Sequence, residues 1–309
     1  MRERIWPGSD QPQTCLVHRQ IKAQSLWVRL LQAQHTFASP RLLFVDAMQR
    51  GNSLWYAEQL YTANPGASVP LSADAACILG HINLTRFVHR TADGHASLDW
   101  DDLKAVAAIA VRFLDDAHSL TAWPSKRLAR KSQATRRIGL GVTGLASLFD
   151  LLGLQYGSAS SLELTEQIMA TLRDTAYQMS MELAQEKGVF PTFDPVRYAA
   201  GSVVLDLPHA LQDGIARHGL RNSHVLAVGP DGLQDPNGPP VSHGIEPLEG
   251  QDVPAEQQLE LAARVQACLD NAVSVTVHVP RSTPAIALEA LLLRAWTLRL
   301  KNCLVQRQL

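Results

Sequence analysis

The chain has 309 residues, of which 46% are hydrophobic and 18% charged, and its formal net charge is −1. This length excludes small disulfide scaffolds and zinc knuckles, and the hydrophobic fraction excludes a disordered chain. The balanced charge provides no broad cationic field for nucleic acid or for an anionic membrane, so neither is expected as a partner.

The four cysteines, Cys15, Cys77, Cys268 and Cys303, are widely spaced and form no C-x-x-C pair. This spacing argues against a structural zinc site or a secreted disulfide framework, and it favours a reducing compartment. The sequence after Met1 has no apolar signal core, and no run approaches the ~18 apolar residues of a membrane span. We therefore expect a cytoplasmic protein with no metal site and no membrane segment.

The first predicted element is a short buried strand over Leu42–Asp46. The apolar run Ala75–Leu84 fits a strand or a helix, and periodicity does not separate the two. A helix is predicted from an N-cap at Asp101 or Asp102 to about Ala117. Its predicted buried stripe consists of Val106, Ile109, Ala110 and Phe113.

The clearest helical pattern covers residues 161–187. Ser160 and Glu163 match a capping box, and Gly188 matches the glycine that commonly follows a helix. The next segment, 229–254, is rich in proline and glycine and is predicted to be irregular.

The C-terminal part is predicted to contain a helix with Pro254 in its first turn, a strand over Val273–Val279, and a last helix. The last helix is expected to have Thr283 as its cap and Pro284 at its first position. Helices mixed with short apolar strands indicate an α/β chain.

The segment Gly139–Gly144 fits the G-x-G-x-x-G pattern of dinucleotide-binding loops. The polar run Ser132–Arg137 precedes it in place of a buried strand, and no ribose-binding acid is evident downstream. Close packing of a helix through glycine is therefore predicted in place of a dinucleotide site.

The histidines are predicted to lie on the surface or in loops, because they lack the short paired spacing of metal ligands. This prediction covers His89, His95, His209, His218, His224 and His243. Taken alone, Cys77, Cys268 and Cys303 are expected to be buried small hydrophobes. No nucleophile with a neighbouring base is evident from spacing.

Seven segments nevertheless resemble one family in the same order along the chain. They are Leu43–Asp46, Asn52–Tyr56, Asn64-Pro65, Cys77–Leu84, Arg136–Ala146, Val241–Pro247 and Asp270–Ser274. Together they resemble the C-terminal half of a ribonucleotide reductase catalytic chain, most closely the adenosylcobalamin-dependent (class II) form. The resemblance implies an α/β fold, namely the second half of a ten-stranded barrel with surrounding helices over residues 26–309. Residues 1–25 are expected to be a poorly defined segment, and the region 229–254 is shorter than in the family.

The resemblance also implies roles for the residues of one loop. The family's finger loop reads Asn-Pro-Cys-Gly-Glu-Gln-Pro-Leu, and its ungapped counterpart here is Asn64–Leu71. Gly66 therefore stands where the family has its radical cysteine, and Ser68 stands where it has the general-base glutamate. Asn64 matches the substrate-binding asparagine, and Cys77 matches one of the two cysteines that reduce the substrate.

The phosphate-binding loop of the family, Pro-Thr-Gly-Thr-Ile-Ser, corresponds to a run that begins Pro230, Asp231, Gly232 and Leu233. Asp231 and Leu233 replace two hydroxyl donors. A carboxylate at this place would repel a nucleotide phosphate by ~1 kcal/mol or more at short range, and the hydrogen bonds are lost as well. Weak substrate binding is expected.

The resemblance implies deoxyribonucleotide synthesis from ribonucleotides with adenosylcobalamin, but the replaced residues predict that this chain alone is catalytically inactive. Two alternatives remain open. The chain is a non-catalytic partner that docks on a complete reductase chain or associates with itself, or it is a decaying remnant. An open half-barrel would expose a strand edge, so the fragment is expected to need a partner or to be unstable.

Overall fold

The protein is described by a computed structural model over residues 1–5, 11–230 and 241–307. The helices are α1 (Ala23–Phe37), α2 (Val45–Arg50), α3 (Trp100–Leu120), α4 (Lys126–Thr135), α5 (Leu145–Leu151), α6 (Ala159–Lys187), α7 (Pro195–Ala199), α8 (Ser202–Leu205), α9 (His209–His218), α10 (Ala255–Gln266) and α11 (Ala285–Thr297). The strands are β1 (Arg2–Ile5), β2 (Pro12–Cys15), β3 (Leu42–Leu43), β4 (Thr62–Ala63), β5 (Pro70–Leu71), β6 (Ile78–Asn83), β7 (Val88–Arg90), β8 (Ala96–Leu98), β9 (Ile138–Thr143), β10 (Thr276–Val279) and β11 (Asn302–Arg307). A 3₁₀ helix, Leu84–Phe87, follows β6.

A series of parallel segments forms the centre of the fold. Strand β6 pairs with β9, and the bridges Leu140–Leu226 and Val228–Val273 continue the series towards β10, which pairs in parallel with β11. The short β3 pairs antiparallel with the start of β11. Over the described ranges no strand pairs with the second edge of β6, so the series is open.

This topology confirms the mixed α/β prediction but not the number of strands. The expected architecture was the second half of a ten-stranded barrel, and the described residues contain neither a closed barrel nor ten strands in one sheet. Long helices cover one face of the series, with α3 packed on α6, β6 and β9. The assignment of 26–309 to one domain stays a prediction, and residues before it include an exposed hairpin of β1 and β2.

The strand predicted over Leu42–Asp46 is mostly wrong. Only Leu42 and Leu43 are extended, and α2 begins at Val45. Asp46 lies in the first turn of α2, where a carboxylate interacts favourably with the helix dipole. The ambiguous apolar run is resolved as a strand, β6.

The predicted face of α3 is wrong in part, because Val106 and Ala110 are partly buried against the core but the other two residues are not. Ile109 and Phe113 are 68% and 69% exposed, whereas the buried stripe runs through Leu103, Ala107 and Val111. This helix carries apolar residues on two faces, so periodicity alone could not select the packed one. Its N-cap is Asp99, whose carboxylate accepts hydrogen bonds from the next two aspartate amides.

The ends of the later helices differ slightly from the sequence prediction. Helix α6 is capped by Ser158, not by Ser160, and it ends at Gly188, which has a φ of +84° as the pattern predicted. Pro254 and Pro284 occupy the N-cap positions of α10 and α11. Residues 241–254 contain no helix or strand, in agreement with the predicted irregular segment.

One histidine departs in part from the surface-or-loop prediction, because it lies outside helix and strand but is buried. His224 is 1% exposed, and its Nδ1 lies 2.9 Å from the hydroxyl of Ser223. Burial lowers the pKa of its imidazole well below the ordinary value. Polar residues at buried positions have no signature in a hydrophobicity pattern, so this one was missed.

We predict a loss of stability in acid that comes from His118, which is also buried. Burial first, and then the charge of Arg136, lower the pKa of this histidine to about 4 in the folded state. A depressed folded pKa means that the unfolded chain binds more protons, so the free energy of unfolding falls as the pH drops from about 6.5 towards 4. His118→Phe keeps a ring against Trp123, 5.2 Å away between centroids, and removes the titration. The free energy of unfolding, measured in urea at several pH values in this range, should depend less steeply on pH for the variant than for the parent chain. An equal dependence on pH would contradict the assignment.

Over the described ranges, no helix is both long and apolar enough to cross a bilayer. The same ranges contain no group of three or more histidine, cysteine, aspartate or glutamate side chains arranged to hold a metal ion.

Candidate functional site

A tight hairpin formed by β4 and β5 presents the loop that the sequence singles out. Asn64 closes it with four hydrogen bonds, one of which its main-chain carbonyl accepts from the amide of Ala67 (2.8 Å). Its amide N–H donates to the carbonyl of Val69 (3.1 Å), its Oδ1 accepts from the Val69 amide (2.9 Å), and its Nδ2 donates to the Ser68 hydroxyl (3.1 Å). Ala67 has a positive φ of 58°, which reverses the chain between them. Asn64 and Ser68 are therefore held together in one loop.

The hairpin is tied to the ends of two central segments. The carbonyl of Ser68 accepts from the amide of Ala272 (2.9 Å), and the carbonyl of Ala67 accepts from Nδ2 of Asn302 (3.0 Å). Ser68 itself is fully buried. The loop thus has a fixed position against the sheet.

A buried ion pair supports the hairpin from below. Arg137 donates to the carbonyl of Pro70 and to the carboxylate of Glu58, and both charged side chains are 1% exposed. Glu58 also accepts from the Ser72 hydroxyl (2.6 Å) and lies 3.2 Å from Nζ of Lys131. Burial would raise the pKa of Glu58, but the positive charge of Arg137 and these further contacts hold it below the ordinary value. This pair had no sequence signature.

Gly66 lies directly against Pro230. A Cβ atom added at Gly66 would stand 2.8 Å from Cδ and 3.2 Å from Cγ of the proline ring. Separations below 3.0 Å require one partner to move, and a proline ring is held by its own backbone. The structure therefore leaves no room for a side chain at position 66 while Pro230 keeps its place.

This contact leads to a prediction about Gly66→Ala. Overpacking of this kind typically costs 1–3 kcal/mol, and we expect a loss of about that size in the free energy of unfolding. Pro230→Gly removes the ring. The cost of Gly66→Ala, measured against Pro230→Gly alone, should therefore be smaller than its cost in the parent chain. A fully additive double variant, measured by urea unfolding, would show that the two residues do not compete for space.

His81 is a polar residue of this region that sequence analysis did not select. It lies on β6, and its Nε2 accepts a hydrogen bond from the amide of Gly229 (3.2 Å). A Cβ at Gly229 would stand 3.4 Å from both this nitrogen and the Ser68 hydroxyl, so the glycine lies between the two side chains. A histidine within an otherwise apolar strand was the signal available in the sequence.

The glycine-rich motif explains why His81 fits. Gly139 and Gly141 lie in the fully buried β9, and a Cβ at Gly141 would meet the carbonyl of Ala227 at 2.3 Å and the His81 ring at 2.7 Å. The predicted close packing exists, but its partners are a neighbouring main chain and a histidine ring, not a helix. The expectation named the wrong partner because one sequence does not show strand neighbours.

Cys77 lies immediately before β6 and is unpaired, as are the other cysteines of the chain. Burial raises the pKa of its thiol to about 12, despite the nearby charge of Arg137. It is therefore a neutral thiol near pH 7. The neutral thiol is not the nucleophilic form, since the thiolate is the form that reacts. Cys303 is fully buried and Cys268 partly so, which agrees with their reading as small hydrophobes.

The phosphate-loop prediction can be placed only in part. Pro230 is the last described residue of its segment, and it makes the contact with Gly66. Asp231, Gly232 and Leu233 lie outside the described residues. The structure thus brings together Asn64, Gly66, Ser68 and Pro230, and adds His81 to them.

A second buried centre, around Asp270, joins the central segments. Its carboxylate accepts from the amides of Val225 (2.7 Å) and Leu226 (3.0 Å), and the hydroxyl of Tyr177 lies 3.2 Å away. Burial raises the pKa of Asp270, although these hydrogen bonds oppose the shift. Lys301 lies beside it and donates to the main-chain carbonyl of Asp270 (2.8 Å).

Comparisons with known proteins identify the family of this chain. Residues 10–233 match the family described as ribonucleotide reductase, barrel domain. The chain is 30% identical, over 340 aligned residues, to a vitamin B12-dependent ribonucleoside-diphosphate reductase of Mycobacterium tuberculosis, covering 96% of this chain and 48% of that protein. A protein of the same name from Thermoplasma acidophilum is 34% identical over 182 residues, covering 59% of this chain and 23% of the relative.

A relative without B12 in its name is also similar. The ribonucleoside-diphosphate reductase large chain 2 of Saccharomyces cerevisiae is 30% identical over 225 residues, covering 68% of this chain and 26% of the yeast protein. The chain spans about half the length, 48% and 47%, of the two Mycobacterium tuberculosis relatives that it matches. With a family match over more than half of its residues, this chain belongs to the ribonucleotide reductase barrel family.

Proposed function

We propose that this chain is a ribonucleotide reductase homologue that does not reduce ribonucleotides by itself. One observation carries the proposal. The position that the resemblance assigns to the radical cysteine is Gly66, and the space that a side chain would need there is filled by Pro230, 2.8 Å from an added Cβ. Hydrogen abstraction from the ribose requires a sulfur atom at that position, and this chain has none there.

The neighbouring groups offer no substitute for the lost general base. Ser68 stands at the position of the family's glutamate, and a hydroxyl does not accept a proton near neutral pH. Its oxygen already accepts a hydrogen bond from Asn64. The Nε2 lone pair of His81 is likewise engaged, by the amide of Gly229.

The reducing step is affected too. Reduction of the substrate in the family requires two cysteines that close a disulfide, which supplies two electrons. Cys77 matches one of them, and its thiol is held neutral by burial. Cys77 forms no disulfide with another cysteine. Cys15 belongs to the exposed β1–β2 hairpin, so it does not supply the second thiol.

Adenosylcobalamin, the cofactor implied by the relatives' names, does not fit the residues of the hairpin. In the family it supplies a radical that is passed to the finger-loop thiol. Gly66 carries no sulfur, and Pro230 occupies the adjacent space. We therefore propose no cobalamin-dependent step for this chain.

The test supplies purified chain with ribonucleoside di- and triphosphates, adenosylcobalamin and a dithiol, and it measures deoxynucleotide and cobalamin cleavage. A complete B12-dependent relative serves as the positive control. We expect no product above the blank. The variant Gly66→Cys/Ser68→Glu should also be silent, because Cys77 still lacks a second thiol. Deoxynucleotide that forms with the unsubstituted chain, and does not form when the chain is left out, would overturn the proposal.

A second candidate function is that of a non-catalytic partner of a complete reductase chain. Among the residues that the structure describes, one edge of β6 has no partner strand, and Leu79 in that strand is 37% exposed; both observations favour this candidate. Sedimentation of the chain alone and with a complete B12-dependent reductase distinguishes self-association from docking. Leu79→Lys should weaken a complex that uses this edge. Insoluble expression under all conditions would favour a decaying remnant.

A further inference from the structure

A cavity of about 400 Å³ lies where helices α2, α10 and α11 end, beside α6 and α8. Its volume is in the range that holds small organic molecules. Its apolar lining includes three leucines, Leu207, Leu269 and Leu298, and the aromatic ring of Tyr177. No residue of the Asn64–Leu71 hairpin lines it, so it is separate from the site described above.

The charged lining of this cavity is strongly one-sided. Arg50, Arg173, Arg299 and Lys301 contribute four cations, against the single carboxylate of Asp206. The whole chain has a formal charge of −1, so this concentration of positive charge is local. Clefts lined by one sign of charge attract ligands of the opposite sign.

Helix dipoles explain only one of these cations. The ends of α2, α10 and α11 carry partial negative charge, which attracts cations. Lys301 interacts with this negative charge, because its Nζ donates to the carbonyls of Gly51 (3.3 Å), Asp270 (2.8 Å) and Asn271. The three arginines donate to no carbonyl within the described part of the chain. Their positive charge is therefore left over.

Two of the arginines are only partly neutralised. Arg50 pairs with Asp46 (2.9 Å) and Arg173 pairs with Asp174 (2.7 Å). Both carboxylates lie outside the cavity lining and are about half exposed, so solvent screens them.

Arg299 has no such partner. Its guanidinium makes no ion pair or hydrogen bond within residues 1–5, 11–230 and 241–307, although it lines the cavity. Its φ of +61° is a left-handed conformation that costs a non-glycine residue about 1 kcal/mol or more. Glycine would adopt this backbone at lower cost, and Arg299 is an exposed residue.

We infer that this cavity binds a small organic anion, specifically a phosphate monoester with an apolar ring or chain. Guanidinium groups match the geometry of phosphate oxygens and form charge-assisted hydrogen bonds with them. The leucines and Tyr177 would cover the apolar part. The site lies outside the hairpin and does not depend on reductase activity.

Phenyl phosphate is a suitable probe, with inorganic phosphate and benzyl alcohol as its two separate halves and benzoate as a carboxylate of similar shape. Titration calorimetry measures affinity, and alkylation of Cys268, which lines the cavity, reports the location by mass spectrometry. Cys15 on the β1–β2 hairpin is the internal control. We expect phenyl phosphate to bind more tightly than either half or benzoate and to protect Cys268 but not Cys15.

Arg299→Gly is the decisive variant, because it removes the guanidinium and relieves the left-handed backbone. It should fold with unchanged or slightly higher stability and bind phenyl phosphate at least about tenfold more weakly, the loss of one charged hydrogen bond. Arg173→Gln should weaken binding similarly, while Arg217→Gln on α9, outside the lining, should not. Equal affinity for benzyl alcohol, no protection of Cys268, or unchanged binding in Arg299→Gly would each overturn the inference.

Discussion

Replacing Arg137 with methionine is expected to lower the free energy of unfolding by about 3–5 kcal/mol, the usual result of removing one partner of a buried ion pair. Methionine keeps much of the side-chain length and removes the charge. The carboxylate of Glu58, 1% exposed, would then retain only Lys131, whose side chain is 27% exposed, and the Ser72 hydroxyl. The carbonyl of Pro70 would also lose its donor, so the hairpin itself should loosen.

Urea unfolding measures this effect, and two controls define its cause. The double variant Arg137→Met/Glu58→Gln should be more stable than Arg137→Met alone, because no unpaired ion stays buried. Arg127→Met removes an exposed ion pair with Asp74 and should change the free energy of unfolding by about 0–1 kcal/mol. A loss below 1 kcal/mol for Arg137→Met would mean that the pair does not support the hairpin.

Asp115→Asn is expected to cost about 3 kcal/mol or more, since this buried carboxylate neutralises several cations where α3, α6 and β9 meet. Its oxygens lie 3.1 Å from Nε of Arg136 and 3.4 Å from Nε of Arg221, and Oδ1 accepts from Asn222 (3.0 Å). The amide leaves Arg136, itself largely buried, without a counter-charge. The adjacent Asp116→Asn is a matched control, because Asp116 is 51% exposed and should matter little.

The same variant should change the response to acid. Burial would raise the pKa of Asp115, but the hydrogen bond and charge of Arg136 bring it below the ordinary value. A depressed folded pKa contributes stability above the unfolded pKa, about 4, and that stability is lost as the pH falls through the folded value. The unfolding free energy of Asp115→Asn should therefore fall less steeply below pH 4 than that of the parent chain. Parallel curves would assign the acid sensitivity to other groups.

The sequence predicted best where local signals agree. Helix α6 has a long periodic pattern, a serine cap within two residues of the expected one, and Gly188 at its end. In α3 the apolar residues lie on two faces, and only half of the predicted stripe, Val106 and Ala110, packs partly against the core. In the segment before α2, apolar composition favoured a strand, but the chain is helical from Val45.

The site was predictable in its residues but not in its contacts. The family resemblance placed Asn64, Gly66 and Ser68 in one loop, and the structure shows that hairpin. The contact of Gly66 with Pro230 joins segments far apart in sequence, as does the pair of Arg137 with Glu58, 79 residues away. Such contacts depend on tertiary packing, which a single sequence does not encode in any local pattern.

The free edge of β6 also bears on how the chain behaves at high concentration. Residues Ile78–Asn83 contain no proline and no charged side chain, the usual features that keep exposed strand edges from joining. In a concentrated solution, such an edge is a template for intermolecular β-pairing. A lysine placed at an outward position of this strand would be the natural gatekeeper against precipitation.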